Sequence, residues 1–560
     1  MKGCNHYSSK TFPFSFSKLD RYITLSDMKF SNIFLLICLS FPTLIYIVRS
    51  ESHSANCDDS DDVSDETCSA KGNSGNDKNQ PNIIFVLADD LGYTDVQYNN
   101  ASVITPTILR MAKEGIKLNQ NYMQSWCTPS RYALMTGMYP IHIGKQDSSK
   151  SKRYLEPTGI SINYKLLPEK LQDLGYDTHL VGKWDLGYCH ESYTPTKRGF
   201  NSFYGFWGGM NDHYTKVRYG VTDWKDGLEN PPTFPDQHSS FLFMDRVKSI
   251  LDTKKSKSNR NPLFLLFATP LPHDPFQAPK RYYDMYPNIE NKLVRNRNGL
   301  ISMLDDTIAN LTQMIEDAGM SENTIFIFSS DNGPFPRLPN GPNEDDRLGK
   351  FRGAKSDDTL EGGTRVPGFI KSPLLSKSFE SDSLIHVTDW YPTILRMAGL
   401  SSEDIDTLKF DGVDQYDTFF NPEDENEGPR KTMVYNIDQR NDIPVGAVRK
   451  GWWKYAQEFS DGVFERALYD LKHDPTEKHN LISQNKEKGD ELTEFFLREA
   501  ASMVPKDLPP SCSCPDSQPP CDVITLKTGR PMDCTTCINA DESNSIKSGW
   551  CDIVTKSCIF

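Results

Sequence analysis

Four short apolar runs recur in the first two thirds of the chain, and polar side chains follow each of them. The runs are 82–88, 178–182, 263–268 and 324–328. Unbroken apolar runs of this length are typical of strands that are buried on both faces of a parallel sheet. Stretches with helical character lie between them, at 105–114, 166–174 and 297–318, and a glycine follows the last two. The alternation predicts an α/β fold with a large mixed, mainly parallel sheet flanked by helices.

Oxygen-bearing side chains follow the first and the last of these runs. Asp89 and Asp90 come after the first, and Asp331 and Asn332 come after the last. Because the carboxyl ends of parallel strands share one edge of a sheet, we expect the four side chains to converge there. Carboxylate and amide oxygens suit Ca²⁺ or Mg²⁺ better than zinc. Either pair alone is more typical of a cap or a turn, and the metal hypothesis gains its weight from the cysteine motif at residue 127.

The pattern changes at about residue 431, where the strand-like runs become shorter. They are 433–436, 446–449 and 452–455, and a helical stretch follows at about 487–501. This predicts a catalytic domain over 81–430 and a smaller C-terminal α+β sheet domain over 431–505. A length of 560 residues also exceeds what one hydrophobic core usually organises. The net charge of -14 argues against a nucleic-acid partner, so the cations that hold an anionic substrate must be clustered locally.

The N-terminal part carries an apolar run at 30–48 that a proline interrupts. It predicts a signal segment over 1–49 that is cleaved at its end, with a retained signal anchor as the alternative. The acidic, Ser/Asn/Gly-rich stretch 50–80 predicts a flexible linker. We therefore expect a protein of the secretory pathway, lysosomal or secreted, without a stable membrane span. Asn100 and Asn310 lie in glycosylation motifs that suit this route.

Cysteine usage supports the same compartment. Of the 13 cysteines, seven lie in residues 506–560. In a secreted chain this predicts a disulfide-stapled tail over that range, and we expect Cys189 to find its partner there. Cys534 and Cys537 also have the spacing of zinc ligands, so a zinc site is the less favoured alternative.

The segment CTPSRYALMTG combines a cysteine, a helix start and an arginine. Pro129 fits the first position of a helix, where its missing N–H costs nothing. Cys127 and Thr128 would then lie at the positive end of the helix dipole, close to Arg131, which suits a bound sulfate or phosphate. A buried structural cysteine beside a helix cap is the alternative.

The pattern C-x-P-S-R, followed by Leu134, Thr136 and Gly137, resembles the sulfatase signature, in which a separate enzyme oxidises the cysteine to formylglycine. The resemblance covers roughly residues 81–480 and is closest to the arylsulfatase B-like branch. Its other carriers are PNIIFVLADDLGYTDV, LVGKWDLG, HDPFQAP, IFSSDNG, FRGAKSDDTLEGGTRVP, HVTDWYPT and LYDLKHDPTEKHNL. It implies an alkaline phosphatase-like fold and a sulfuric ester hydrolase of the arylsulfatase type. Sulfated sugars or glycosaminoglycans are the expected substrates, and a formylglycine-generating enzyme is the expected partner during maturation.

The resemblance also implies roles for individual residues. Cys127 should become the formylglycine whose hydrated form attacks sulfur and releases the alcohol, and Arg131 should hold that residue. Lys183, His273 and Lys355 match the cations that surround the sulfate and assist the leaving oxygen.

A metal site is implied in the same way. Asp89, Asp90, Asp331 and Asn332 match the residues that bind one divalent cation in sulfatases, usually Ca²⁺. The cation also contacts the modified Cys127 and a sulfate oxygen, so it would lie beside the nucleophile.

One residue departs from the family pattern. Family members usually carry a histidine in G-K-W-H-L-G, and this chain has Asp185. The histidine takes a proton from formylglycine and so expels sulfate, whereas aspartate is shorter and its charge opposes a bound sulfate. Slow turnover or an altered substrate is the expectation, and His190 is either a compensating residue or, the favoured interpretation, a loop residue. The alternatives are a catalytically impaired sulfatase-like protein that binds sulfated glycans and a phosphatase or phosphonate hydrolase of the same architecture.

Overall fold

The computed structural model describes residues 80–146, 159–188, 190–218, 220–255, 261–335, 350–424, 427–440, 442–460 and 463–505, and the backbone of 550–552 and 557–559. The predicted signal segment, nearly all of the linker and Cys189 lie outside the described residues. In the tail, β-pairing places Cys551 opposite Cys558, and the other tail cysteines lie outside the described residues.

The apolar runs form the middle of a large sheet. In chain order, the strands before residue 430 are β1 (Asn82–Ala88), β2 (Ile116–Leu118), β3 (Asn121–Tyr122), β4 (Asp177–Lys183), β5 (Ser202–Phe206), β6 (Val217–Arg218), β7 (Val221–Thr222), β8 (Lys225–Asp226), β9 (Leu263–Ala268), β10 (Thr324–Ser330), β11 (Gly368–Lys371), β12 (Phe379–Ser381) and β13 (Ile385–His386). The large sheet has the order β12-β2-β11-β10-β1-β9-β4-β5-β8. Strands β10, β1, β9, β4 and β5 run parallel, and β11 and β8 join them antiparallel. The predicted mixed, mainly parallel sheet is confirmed.

Helices cover both faces of this sheet. They are α1 (Pro106–Glu114), α2 (Cys127–Thr136), α3 (Leu167–Asp173), α4 (Ser239–Lys254), α5 (Lys280–Tyr283), α6 (Lys292–Asp317), α7 (Glu361–Thr364), α8 (Trp390–Met397), α9 (Ser402–Asp406) and α10 (Tyr416–Phe420). Ile83, Phe85 and Leu87 of β1 pack with residues of α2, α3 and α8, whereas Ile84 and Val86 pack with residues of α1, α4 and α6. Successive residues of a strand point to opposite faces, so an unbroken apolar strand needs this double cover.

Helix α6 begins five residues before the predicted stretch 297–318. Asn291 caps it, because its side-chain oxygen accepts hydrogen bonds from the backbone N–H groups of Leu293 and Val294 at 3.0 and 3.4 Å. The extra turn, KLVRN, contains Leu293 and Val294, but Leu293 is exposed, and the predicted stretch did not include this turn.

A second, antiparallel sheet follows the large one, as predicted. Its strands are β14 (Thr432–Arg440), β15 (Ile443–Lys450), β16 (Trp453–Ser460) and β17 (Val463–Asp470), in that order, and α11 (Lys486–Ala501) covers it. Val434, Val448 and Tyr455 of this sheet form one buried cluster with Leu492 and Phe496 of α11. Within the part of the chain that the structure describes, no helix is long and apolar enough to cross a membrane.

Candidate active site

The ten residues predicted for the site form one connected, largely buried cluster at the carboxyl edge of the large sheet. Asp89 follows β1, Asp331 follows β10 and Lys183 ends β4, and these three strands lie close together in the sheet. His273 lies on the segment that follows β9. The convergence predicted from the strand ends is therefore present, and the residues that complete it come from α2 and from the segment before α7.

Three of the predicted metal-binding residues present an oxygen that accepts no hydrogen bond from the part of the chain that the structure describes. Asp89 Oδ1, Asp90 Oδ2 and Asn332 Oδ1 are buried and accept no hydrogen bond. The other oxygen of Asp90 accepts a hydrogen bond from Asn332 Nδ2 at 2.7 Å. Buried polar atoms in native proteins are nearly always satisfied, so three neighbouring orphaned oxygens indicate a missing positive ligand. This hard-oxygen set fits a divalent cation.

His273 extends this set in a way that the sequence did not suggest. One ligand atom each from Asp89, Asp90 and His273 lie within 4.8 Å of one another. His273 Nε2 is 3.6 Å from Asp90 Oδ2, and its Nδ1 is 2.6 Å from the carbonyl oxygen of Asp274. His273 was predicted to face the sulfate. It lies beside Asp90, so it is next to a predicted metal ligand as well as to the predicted sulfate position.

Helix α2 begins at Cys127, two residues earlier than a Pro129 at the first helical position would require. The preceding Trp126 is extended, and no side chain caps the helix start. Gly137 ends the helix in the left-handed conformation, at φ 70°, where glycine meets no Cβ penalty. Cys127 is therefore in the first turn, where backbone N–H groups without helical partners favour an anion.

Arg131 lies one turn after the cysteine and is buried. Its Nε and Nη2 donate to Asp331 Oδ2 at 3.0 and 2.8 Å, and its Nη1 donates to the carbonyl oxygen of Lys183 at 3.1 Å. The predicted role of Arg131 was to hold residue 127. Its contacts fix α2 to the ends of β10 and β4, and Cys127 lies one turn before Arg131 on that helix.

Two buried lysines neutralise the acidic residues. Lys183 Nζ lies 2.8 Å from Asp89 and 3.9 Å from Asp331, and Lys355 Nζ lies 2.6 Å from Asp90. The Lys355 ammonium also lies 5.3 Å from the centre of the Trp126 ring. Buried charges without such partners would be very costly, so the lysines and carboxylates hold each other at the sheet edge.

The pKa values of one thiol and one carboxyl group in the cluster are shifted upward from their usual values. Burial raises the pKa of Cys127 to about 11, although Lys183 and Lys355 oppose the shift, so the unmodified thiol stays protonated at neutral pH. Burial and the charge of Asp89 raise the pKa of Asp331 to about 6. Burial is the largest cause of both shifts, and the nearby cations oppose it in both cases.

Asp185 occupies a half-buried position between two segments. Its backbone is left-handed, at φ 59°, a conformation in which Asp, Asn and His are all enriched. Its Oδ2 accepts a hydrogen bond from the Thr128 hydroxyl at 2.7 Å, and its N–H donates to the Trp207 carbonyl oxygen at 3.0 Å. A Cβ built on Gly209 would lie 3.0 Å from Asp185 Oδ1. Sequence analysis missed these contacts, since nothing local links residues 128, 185 and 209.

His190, the residue that could compensate for Asp185, forms hydrogen bonds within its own turn. Its ring nitrogen Nδ1 accepts from the Ser192 N–H at 3.2 Å and lies 2.9 Å from the Ser192 hydroxyl oxygen. It therefore caps the short turn Glu191–Tyr193. That geometry gives no support to a role for His190 as the base.

Comparisons with known proteins agree with this geometry. A family model described as Sulfatase matches residues 81–400. Arylsulfatase J of Mus musculus is 39% identical over 373 residues, which cover 64% of this chain and 58% of that protein. N-acetylgalactosamine-6-O-sulfatase of Bacteroides thetaiotaomicron is 28% identical over 502 residues, which cover 75% of this chain and 93% of that protein. The solved structure of Ps i-CgsB in complex with k-i-k-neocarrahexaose has a TM-score of 0.67 and 26% identity, over 76% of this chain and 94% of that chain.

Proposed function

The chain belongs to the sulfatase family, and we propose that it hydrolyses sulfate esters of sulfated sugars with a formylglycine made from Cys127. The observation that carries the proposal is the position of Cys127 at the start of α2. There it faces the charges of Lys183 and Lys355 and lies at the sheet edge that holds three orphaned oxygens. The match spans 58% of arylsulfatase J, so activity and substrate are proposed for this chain on its own residues.

The unmodified cysteine is poorly suited to the chemistry. With a pKa of about 11 the thiol is protonated, and a protonated thiol is a weak nucleophile. Formylglycine supplies a hydrated aldehyde whose hydroxyl can attack sulfur, and a divalent cation draws charge from the sulfate oxygens. Arg131 fixes the position of residue 127, while Lys183 and Lys355 offset the charge that develops on the sulfate oxygens. His273 is the candidate donor of a proton to the leaving alcohol.

Ca²⁺ is the proposed cation. Its proposed ligands are oxygens of Asp89, Asp90, Asp331 and Asn332, together with the modified residue 127. Three of the four protein ligands present an unpartnered oxygen, which supports a hard cation with several oxygen ligands. The carboxylates are already paired with lysines and Arg131, so the cation would share them.

The substrate class rests on the relatives. One relative is named N-acetylgalactosamine-6-O-sulfatase, and one similar solved structure is a complex with k-i-k-neocarrahexaose. We propose a sulfated sugar or glycosaminoglycan as the substrate of this chain. A secretory route, with formylglycine made there by the generating enzyme and glycans attached at Asn100 and Asn310, is part of the same proposal.

A second candidate function is the binding of sulfated glycans without turnover. The specific observation in its favour is Asp185, which stands where the family has its histidine and whose carboxylate is engaged by Thr128. A carboxylate held in this way is a poor substitute for an imidazole base, and its charge opposes the sulfate.

The experiment combines protein chemistry with turnover. Protein secreted from cells that overproduce the formylglycine-generating enzyme is assayed against an aryl sulfate, the matching aryl phosphate and defined sulfated sugars, and the peptide around residue 127 is analysed by mass spectrometry. The proposal expects an aldehyde at residue 127 and turnover of sulfate esters. Sulfated-glycan binding with no turnover by aldehyde-bearing protein would support the second candidate instead, and turnover of the phosphate by unmodified protein would contradict both.

A further inference from the structure

The Asp185 carboxylate is hydrogen-bonded to the start of α2, close enough to Cys127 for its charge to act on the thiol. Thr128, the residue after the nucleophile position, donates its hydroxyl to Asp185 Oδ2 at 2.7 Å. Gly209 lies against the other carboxylate oxygen so closely that a side chain there would come within 3.0 Å of it. Asp185 is half-buried, and its charge raises the pKa of the Cys127 thiol. The carboxylate thus acts on the same volume that the substrate anion must enter.

The charges around that volume are closely balanced. Within the described residues, the cations of the cluster are Arg131, Lys183 and Lys355. The carboxylates that face them are Asp89, Asp90 and Asp331, so these six charges cancel when all are ionised. His273 pairs with Asp274 and is left out of this balance. A divalent cation therefore leaves two positive charges for the substrate, and Asp185 reduces the two to one.

A sulfate monoester carries one negative charge, whereas a phosphate monoester carries about 1.5 to 2 at neutral pH. A pocket with one net positive charge matches the first and leaves the second with uncompensated negative charge. A fixed carboxylate beside the pocket repels each negative charge of a bound anion, so it opposes a dianion more strongly than a monoanion. Specificity is often built by such a repulsive element.

We propose that Asp185 makes this site selective for monoanionic sulfate esters and against dianionic phosphate esters, an inference that rests on the proposed sulfatase function. Thr128 and Gly209 are the positioning residues, because they fix the carboxylate on the side of the substrate. Aspartate in place of the family's histidine then increases selectivity for sulfate over phosphate esters and lowers the turnover rate.

The test compares kcat/KM for 4-nitrophenyl sulfate and 4-nitrophenyl phosphate in aldehyde-bearing protein. Asp185→Asn removes the charge and keeps the size and an oxygen for the Thr128 hydroxyl, so the ratio of phosphate to sulfate activity is expected to rise by about tenfold or more. Glu191→Gln is the matched control, because it removes the same charge from an exposed side chain six residues along the chain. Its ratio should stay within about twofold of the parent.

A binding measurement keeps the inference falsifiable if Asp185→Asn no longer turns over. In a Cys127→Ala background with calcium bound, the affinities for phenyl sulfate and phenyl phosphate are measured by calorimetry with and without Asp185→Asn. The substitution should favour the phosphate by about tenfold or more. An unchanged preference in both assays would overturn the inference while leaving the sulfatase proposal intact. Aldehyde-bearing parent protein that hydrolyses the phosphate as well as the sulfate would also overturn the inference, whereas parent protein that hydrolyses neither would overturn the proposed function.

Discussion

Two buried clusters of charged residues differ in whether their charges are satisfied within the protein. The first is the candidate active site, and the second is a network centred on Glu361, where α7 meets the small sheet. Glu361 accepts hydrogen bonds from the Tyr122 and Tyr435 hydroxyls, both at 2.6 Å. Lys454 Nζ lies 3.0 Å from Glu361 and 2.7 Å from Glu477. Both oxygens of Glu361 accept a hydrogen bond, and Glu477 Oε1, which accepts none, has the Lys454 ammonium 2.7 Å away.

The site cluster is equally buried but incomplete. Asp89, Asp90 and Asn332 each keep an oxygen without a partner. The pKa values do not separate the two clusters, because each contains one raised and one lowered carboxylate. Burial and Asp89 raise the pKa of Asp331 to about 6, and burial raises that of Glu477, whereas nearby cations lower the pKa of Asp89 and, to about 2, that of Glu361. Burial of charge alone therefore does not identify a functional site in this protein. The candidate site is distinguished by three unpartnered oxygens on neighbouring side chains at one edge of the sheet, a set that could bind a cation.

The largest effect is predicted for the proposed metal ligands, and it tests whether the two clusters really differ. Asp331→Ala removes one proposed ligand, so bound calcium should be lost and kcat/KM for an aryl sulfate should fall by about 100-fold or more. Calcium is measured by atomic absorption on dialysed protein, and folding by circular dichroism. Unchanged metal content and unchanged hydrolysis would mean that these strand ends are structural, like the Glu361 network.

The opposite behaviour is expected in the Glu361 network. Lys454→Met leaves the carboxylates of Glu361 and Glu477 buried without their cation, which should reduce the free energy of unfolding by about 3–5 kcal/mol. The kcat/KM of the folded protein should remain within about twofold of the parent. Unfolding in urea and the aryl sulfate assay measure the two quantities.

Lys450→Met on the same sheet is the control for that experiment. Lys450 is more than half exposed and pairs with Glu491 at 2.7 Å, so its loss should cost about 0–1 kcal/mol. Equal stability of the Lys450 and Lys454 variants, or a loss of activity in folded Lys454→Met protein, would remove the distinction between the two clusters.

A smaller effect is predicted for Asp185, and it tests whether this residue is a weak base. If the aspartate is a weak base, release of the alcohol should precede a slow regeneration step, so rapid mixing with a chromogenic sulfate ester should give a burst and then a slow steady rate. The left-handed backbone at this position accepts histidine, and Asp185→His should speed the slow phase severalfold. A linear time course in the parent, together with lower activity in Asp185→His, would show that the aspartate is an adapted part of the site.

The smallest effect concerns a partly exposed pair near the end of α11. A hydrogen bond with Asp411 raises the pKa of His142, whose Nδ1 lies 2.8 Å from Asp411 and whose Nε2 lies 2.9 Å from the Ser502 hydroxyl oxygen. A raised histidine pKa stabilises the fold below the unfolded value of about 6.5, and that contribution is lost as pH rises through the folded value. Asp411→Asn should therefore lower the free energy of unfolding more at about pH 5.5 than at about pH 8, by on the order of 0.5–1 kcal/mol, as measured by urea unfolding at the two pH values. An equal change at both pH values would contradict this assignment.

The sequence predicted those parts of the structure that depend on local patterns. The apolar run of β1 and the carboxylates that follow it are neighbours in the chain, so strand, edge and candidate ligands could be inferred together. The contact between Glu361 and Lys454 could not be inferred from the sequence, because the two residues are 93 positions apart. Thr128 and Asp185 are likewise joined only by the fold. The start of α2 at Cys127 was also missed, because Pro129 is compatible with more than one position in the first turn.

The central claim is that an aldehyde at residue 127 is the nucleophile, and the most direct test relates activity to the amount of that aldehyde. Protein is secreted with graded levels of the formylglycine-generating enzyme, and each preparation is analysed for the modified fraction of residue 127 and for kcat with an aryl sulfate. We expect kcat to rise in proportion to the aldehyde fraction, with zero activity at zero aldehyde, and we expect Cys127→Ala to be inactive. Activity that is independent of the aldehyde fraction, or that persists in Cys127→Ala, would contradict it.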